Sequence, residues 1–105
     1  MRAAPVIMIA LAGCVPITPE GIAKLAPNFS VASAKSPRDF AMCVASVFPD
    51  TGQVLNDGDH YWVTRQFGGS TIERWDFIPA ASGSIAERRT GQKIDYGADR
   101  VRRCA

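Results

Sequence analysis

The chain has 105 residues, 47% of them hydrophobic and 21% charged, with a formal net charge of +2 at pH 7. This length suits one small domain. So small a net charge argues against nucleic-acid binding, which usually needs a concentrated basic surface. The only long apolar run, residues 3–15, is shorter than the roughly 18 to 20 residues that span a bilayer, which excludes a multi-span membrane protein.

The amino terminus has the parts of a secretory signal. Arg2 supplies a positive charge, and residues 3–11 form an apolar stretch of the length that signal peptides use. The stretch ends in the motif Leu11, Ala12, Gly13 and Cys14. This motif resembles the lipobox of bacterial lipoprotein precursors. The resemblance implies that a peptidase removes residues 1–13 and that Cys14 carries acyl chains, which together form a lasting membrane anchor. The alternative is a buried terminal helix or strand with an incidental cysteine.

The residue after Cys14 bears on which membrane would hold the protein. In Gram-negative members of this family an Asp directly after the acylated cysteine tends to retain the protein in the inner membrane. Val15 occupies that position, which implies the outer membrane with the domain facing the periplasm.

Residues 15–35 hold three prolines and no sustained helical or alternating period, so residues 14–35 are predicted to be a lipidated, semi-rigid tether. A short helix around residues 21–26 is the open alternative.

The folded domain is predicted over residues 36–105 and begins with a helix. Ser36 can cap the free amides, and Pro37 suits the first helical position. The negative charge of Asp39 interacts favourably with the positive end of the helix dipole. The apolar residues that follow are spaced for one helical face: Phe40, Cys43, Val44, Val47 and Phe48. Turn residues from Pro49 onward should end the helix near Phe48.

Strands are predicted from runs of aromatic and β-branched residues bounded by glycine. They cover residues 61–67, 71–79 and 84–89. The simplest assembly is a three-stranded antiparallel meander packed on the helix, an α+β fold. Residues 91–105 could add a fourth strand or a short helix. In the middle strand both faces carry bulky residues, so which face meets the helix stays open.

If Cys14 carries lipid, Cys43 and Cys104 form an even pair in a compartment where disulfides persist. A bridge between them would close a loop of roughly 60 residues, for which chain entropy gives about 4 kcal/mol. The alternative is a reactive thiol, but the sequence contains no C-x-x-C pair.

Candidate catalytic groups are few. His60 is the only histidine and follows Asp59 in a predicted loop. A small hydrolase would need His60, a carboxylate and a nucleophile from Ser70, Ser82 or Ser84, whereas the other interpretation is a surface histidine. One histidine and two pairing cysteines do not assemble a zinc site, and neither a metal nor another cofactor is predicted.

A basic cluster is the candidate binding surface. Its members are Arg88, Arg89, Lys93, Arg100, Arg102 and Arg103. Such a surface could contact anionic lipid, an envelope glycan or an acidic envelope protein. Interleaved Asp95 and Asp99 favour a solvated charged surface instead. Trp62 and Trp75 could form an aromatic recognition patch, or they could fill the core.

These features predict a membrane-anchored, non-enzymatic envelope lipoprotein that binds a partner or supports the envelope. Residues 36–105 are similar to small proteobacterial lipoproteins with a cysteine-bearing helix, strands and a terminal cysteine. A second interpretation is an inhibitory or phage-exclusion lipoprotein, since both kinds occur among small tethered lipoproteins. Ser82, Gly83 and Ser84 resemble a loop of the lysozyme inhibitors. The predicted helix departs from the all-β pattern of the lysozyme inhibitors. A hydrolase that uses His60 is the third.

Overall fold

The computed structural model describes residues 18–91 and 97–105. These residues form three helices on a five-stranded sheet, which confirms the α+β class. The helices are α1 (Pro19–Ala23), α2 (Pro37–Val47) and α3 (Ala98–Cys104). The strands are β1 (Phe29–Ser33), β2 (Leu55–Asp57), β3 (His60–Phe67), β4 (Ser70–Ala80) and β5 (Gly83–Thr90). Every neighbouring pair is antiparallel, in the order β1-β5-β4-β3-β2.

The predicted meander forms the centre of the sheet, but the expectation of three or four strands is wrong because one strand is added at each edge. β3, β4 and β5 correspond to the three predicted strands. β2 is the first addition, and a turn at Gly58, with φ 63°, folds it back so that Asp57 pairs with His60. All three residues of β2 are exposed, so the sequence has no alternating hydrophobic pattern there that would predict a strand.

β1 is the second addition, and it corrects the predicted tether. Phe29 pairs with Arg88 and Ser33 pairs with Ser84, which attaches residues 29–33 to the open edge of β5. The contact is close, because a Cβ on Gly83 would lie 2.0 Å from the carbonyl oxygen of Ser33. The folded unit therefore begins before residue 36. A strand so far in sequence from its partner leaves only a weak local signal.

α1 also lies within the segment predicted to be a tether, and it overturns the expectation of a single helix. The Thr18 hydroxyl accepts a hydrogen bond from the Gly21 amide at 3.0 Å, and Pro19 occupies the first turn. Ile22 is fully buried, and the helix contacts β4 and β5. α1 corresponds to the short helix left open by the sequence.

α2 has the predicted cap and covers one side of the sheet. The Ser36 hydroxyl accepts a hydrogen bond from the Asp39 amide at 3.1 Å, and the helix ends before Phe48. Its buried side chains pack on Trp75 and Phe77 of β4, so this is the side of β4 that meets the helix. The full core cluster is Phe40, Ala41, Val44, Phe48, Val63, Trp75, Phe77, Ala86, Val101 and Cys104.

The carboxyl-terminal segment is a helix, and the predicted disulfide is present. Cys43 of α2 is bonded to Cys104 of α3, with 5.7 Å between their Cα atoms and 61 positions between them in sequence. α3 follows Gly97, whose φ of 104° suits glycine and whose missing Cβ leaves room for the Phe48 ring. α2 and α3 therefore cover the same side of the sheet as one disulfide-linked pair.

The two sides of the sheet carry different residues and are named accordingly. The α2 face carries α2, α3, Trp75 and Phe77, whereas the α1 face carries α1, Trp62, Arg74 and Asp76. Within residues 18–91 and 97–105, no helix is long and apolar enough to cross a membrane.

Candidate functional site

A buried carboxylate organises the α1 face. Asp76, in the middle of β4, is 2% exposed. Its oxygens accept hydrogen bonds from His60 Nε2 at 2.7 Å, from Arg74 Nε at 3.0 Å and Nη2 at 2.7 Å, and from Arg89 Nη1 at 2.7 Å. We call Asp76, His60, Arg74 and Arg89 the Asp76 cluster.

The sheet register assembles this cluster. Alternation along β4 places Arg74 and Asp76 on one face. β5 pairs Arg89 with Arg74, and β3 brings Trp62 opposite Asp76 with His60 two positions away. The ion partners are therefore supplied by three neighbouring strands, which keeps their separations fixed.

The arginines keep Asp76 ionised. Burial by itself raises the pKa of Asp76, but the hydrogen bonds from Arg74 and His60 and the positive charges of Arg74 and Arg89 outweigh it and lower the pKa below its ordinary value of 3.8. Asp76 is thus a permanent acceptor at neutral pH, suited to holding cations in place and poorly suited to accepting a proton during catalysis.

The structure gives His60 a carboxylate partner, but it is Asp76 and not its sequence neighbour Asp59. The candidate nucleophiles lie elsewhere. Ser70 pairs with Phe67, seven residues along β3 from His60, which corresponds to about 23 Å in an extended strand. Ser84 is buried on the other face and donates its hydroxyl hydrogen bond to the Lys35 carbonyl at 2.8 Å.

Of the three residues that resemble an inhibitor loop, two make contacts that hold the edge of the sheet together. Ser82 lies in the turn between β4 and β5, while Gly83 packs on β1 and Ser84 is bonded to Lys35. Two of the three positions therefore serve the edge of the sheet. Only Ser82 is exposed to a partner.

A groove lies beside the Asp76 cluster. Arg74 stacks on Trp62 with its guanidinium carbon 4.9 Å from the ring centroid. The groove has a volume of about 420 Å³ and is lined by Pro19, Glu20, Ala23, Lys24, Trp62 and Arg74. Trp75, by contrast, is buried in the core on the α2 face. The two tryptophans therefore do not form one recognition patch.

The predicted basic surface is divided between the two faces. Arg88 is buried, lies 5.1 Å from the Phe29 ring centroid and donates to Asn28 Oδ1 at 3.2 Å. Arg89 belongs to the Asp76 cluster, and Arg102 is paired with Asp99 at 2.7 Å. Cys14 and Lys93 lie outside the described residues.

Two members of the predicted basic surface, Arg100 and Arg103, are exposed and line the same cavity. They lie one turn apart on α3 and, with Val47, line a cavity of about 300 Å³. Arg100 donates to the Val47 carbonyl at 3.2 Å, whereas Arg103 forms no hydrogen bond or ion pair within residues 18–91 and 97–105. We call these three residues the arginine groove. Two guanidinium groups beside an apolar floor suit an anionic group attached to an apolar body.

Sequence reasoning found Arg100 and Arg103 but missed Asp76, Arg74 and Trp62 as a unit. The available signal was the alternation of β4, which places two opposite charges, Arg74 and Asp76, on the same face of the strand. Their partners become visible only when the strands are paired.

Among the described residues there is no group of three or more His, Cys, Asp or Glu side chains that could hold a metal ion. No model of a known protein family matches this sequence, and comparisons with curated proteins and with solved structures find no match either.

Proposed function

We propose that this chain is the precursor of a small envelope lipoprotein. It is cleaved before Cys14, anchored through acyl chains on Cys14, and held at the outer membrane facing the periplasm. There it acts as a non-enzymatic module that binds a partner or supports the envelope. The observation that carries the proposal is the Leu-Ala-Gly-Cys motif at residues 11–14, directly after a positive charge and an apolar stretch of signal length.

The cysteine pairing supports this proposal. Cys43 and Cys104 are bonded to each other, and disulfides persist in exported compartments. Cys14 is therefore the one cysteine left over for another chemistry. An odd cysteine in an exported protein needs such a role, because a free exposed thiol would react there.

The arginine groove is the proposed partner surface. Arg88, Arg89 and Arg102 are already bonded to groups of this chain, whereas Arg103 is exposed and lacks a partner among the described residues. A carboxylate or phosphate on an envelope protein, a glycan or a lipid headgroup would satisfy it. The partner is expected to be anionic.

Mass spectrometry of the purified mature protein tests the anchor. We expect loss of residues 1–13, added acyl mass on Cys14, and two fewer hydrogens from the Cys43–Cys104 bridge. A Cys14→Ser variant serves as the control and should carry no acyl mass. An intact Met1 together with an unmodified Cys14 would overturn the proposal.

Capture from envelope extracts tests the groove. Wild-type protein and an Arg103→Gln variant are compared with Arg38→Gln, which removes an exposed arginine from α2 and leaves the groove intact. We expect the bound partner to be lost in Arg103→Gln alone, and added salt to release it from the wild type. Equal capture by all three proteins would rule the groove out as the partner surface.

A further inference from the structure

The two edges of the sheet differ in their protection against a further strand. Edge strands usually carry charges, prolines or irregular register, or are very short, because their unpaired backbone groups invite association. β2 has only three residues, one of them Asp57. β1 has five residues in unbroken register with β5, and none of them is charged or a proline. β1 is therefore the edge that is open to pairing.

The backbone groups that β1 turns outward follow from its pairing with β5. The Asn28 amide donates to the Arg88 carbonyl at 2.9 Å, so the backbone of Arg88 faces β1. Every second residue of an antiparallel strand bonds to its neighbour, so the residue paired with Arg88 and every second one after it face β5. Ser30 and Ala32, between them, turn their amides and carbonyls away from β5. Both residues are exposed, and these groups have no hydrogen-bond partner within the described part of the chain.

A second copy of the chain satisfies these groups by symmetry. Two β1 strands can run antiparallel with Val31 opposite Val31 of the second copy, and Ser30 of each copy then lies opposite Ala32 of the other. Each of these two pairs exchanges two backbone hydrogen bonds, so all the outward groups of both strands are satisfied. A register shift of two residues leaves only one such pair within Phe29–Ser33. The edge is therefore self-complementary in one register.

The side chains of β1 suit this pairing. Val31 pairs with Ala86 and packs against the core, so it lies on the α2 face, where it would meet Val31 of the second copy. Side chains directly opposite each other on one face of an antiparallel pair lie close enough to pack, whereas like charges there would destabilise the pair. β1 brings no charge to this contact, and it offers a charged peptide no countercharge. These properties favour a second copy over an acidic or basic segment of another protein.

Strand pairing also keeps both anchors on the same side. Directly opposite residues point their side chains to the same face of a sheet, so the two copies would share one α1 face and one α2 face. Thr18, the cap of α1, follows Cys14 by four residues, which span at most about 14 Å. Two acylated cysteines can therefore reach one bilayer from the same face of the joined sheet.

Anchoring matters because the contact is small. A stable interface between freely diffusing proteins usually involves about 20 to 30 residues on each side, and β1 supplies five. Attachment to one membrane raises the local concentration of copies and makes a weak contact effective.

We infer that two copies of the anchored protein pair antiparallel through β1, so that two five-stranded sheets join into one of ten strands. The inference rests on the proposed function, which supplies the membrane anchor. The two arginine grooves then lie on one shared face, so a partner with repeated anionic groups meets two equivalent contacts.

Cysteine cross-linking tests the pairing in the full acylated protein, reconstituted in phosphatidylcholine vesicles. A Val31→Cys thiol lies on the symmetry axis, and the two Cα atoms of such a pair are about 4.5 Å apart, which a disulfide can bridge. The matched control is Leu55→Cys, which places an exposed thiol on β2 at the other edge. We expect an oxidant to convert Val31→Cys into a covalent dimer on a non-reducing gel and to leave Leu55→Cys monomeric. Any other pattern, including equal dimer from both variants, would overturn the pairing.

An Ala32→Pro substitution in the Val31→Cys background gives a second test. Proline removes the Ala32 amide hydrogen, which faces away from β5, so the protein should keep its urea midpoint while the covalent dimer is lost. Ala32→Ser retains the amide and is the control. A dimer that persists in folded Ala32→Pro protein would contradict the inference. Loss of the fold would contradict it too, because it would show that the Ala32 amide bonds to β5.

Mass spectrometry of the same samples separates this inference from the proposed function. An acylated Cys14 without a Val31→Cys dimer overturns the pairing alone. An unmodified Cys14 overturns the anchor, and with it the membrane attachment on which the pairing depends.

Discussion

The two faces of one sheet are stabilised by different physical effects. On the α2 face, Trp75 and Phe77 pack against helices that are covalently joined. On the α1 face, Arg74 and Asp76 of the same strand belong to an ion cluster under a helix of only five residues. Alternation along β4 thus places the Asp76 cluster on one face and the apolar core on the other, where Glu73 also accepts hydrogen bonds from Arg65 and from the Trp75 indole.

This contrast indicates which face holds the fold together. Burial of apolar area stabilises at any pH, whereas a buried ion pair adds little net stability but becomes costly when one partner is removed. We therefore expect the α2 face to decide whether the domain folds, and the α1 face to decide how the amino-terminal segment is seated. Four sets of variants probe this contrast.

The largest effect is expected on the α2 face, from loss of the disulfide. A Cys43→Ser/Cys104→Ser variant should lose about 4 kcal/mol of unfolding free energy, because a long loop is no longer closed in the unfolded chain. Urea unfolding measures it. A reductant should bring the wild type to the same midpoint and leave the variant unchanged. A variant as stable as the wild type would mean that burial alone holds this face.

The second-largest loss of unfolding free energy is expected where β1 attaches to β5. Gly83→Ala should cost about 3 kcal/mol, because the new Cβ meets the Ser33 carbonyl and the backbone has a positive φ of 145°. Gly68→Ala is the matched control: its φ is 57° but the surrounding space is open, so we expect about 1 kcal/mol. Equal losses in urea unfolding would show that residues 29–33 do not pair with β5.

The charged face should respond to pH. Since the folded-state pKa of Asp76 lies below its ordinary 3.8, its contribution is complete above that value and is lost as pH falls through the folded-state pKa. Asp76→Asn should remove about 2 kcal/mol at neutral pH and flatten this acid dependence. Asp50 should leave a residual slope that belongs to the α2 face, because its pKa is lowered by Arg65, which stacks on Phe48 there.

Asp59→Asn is the control for Asp76, because Asp59 is exposed and adjacent to His60 in sequence. Its unfolding curve should follow the wild type at every pH. If Asp59→Asn and Asp76→Asn shift the acid unfolding transition equally, the Asp76 cluster is not the source of the acid dependence.

The smallest effect is expected from His60, whose side chain is 41% exposed. His60→Ala removes one of the hydrogen bonds to Asp76 while both arginines remain, so the loss in unfolding free energy should be about 1 kcal/mol. Thermal unfolding measures it. A loss as large as that of Asp76→Asn would make the imidazole, and not the guanidinium pair, the main partner of the carboxylate.

The parts of the fold that sequence reasoning predicts have local signals. Ser36 and Pro37 mark the start of α2, and Gly68 and Gly69 mark the turn between β3 and β4. The disulfide follows from cysteine count once Cys14 is assigned elsewhere. Each of these depends on residues close in sequence or on a count, and needs no knowledge of the tertiary structure.

The parts that were missed depend on distant pairing. The prolines of residues 15–35 favour a tether, yet Pro19 occupies the first turn of a helix and Pro27 lies just before an edge strand, both of which are allowed positions. The Asp76 cluster was missed for a related reason. Asp76 lies 16 residues from His60 and 13 from Arg89, so their contact depends on strand register.

If the chain is anchored through Cys14, as proposed, the disulfide has a mechanical consequence. Tension between an acylated Cys14 and a partner on α3 would enter at the amino terminus and cross directly from Cys43 to Cys104. Strands β2 to β5 lie inside that covalent ring and outside the path of the force. Of the elements that the structure describes, α1, β1 and the first turns of α2 lie in series with the pull. Peeling β1 from β5 would therefore lengthen the connection to the membrane while the disulfide-closed remainder stays folded and bound.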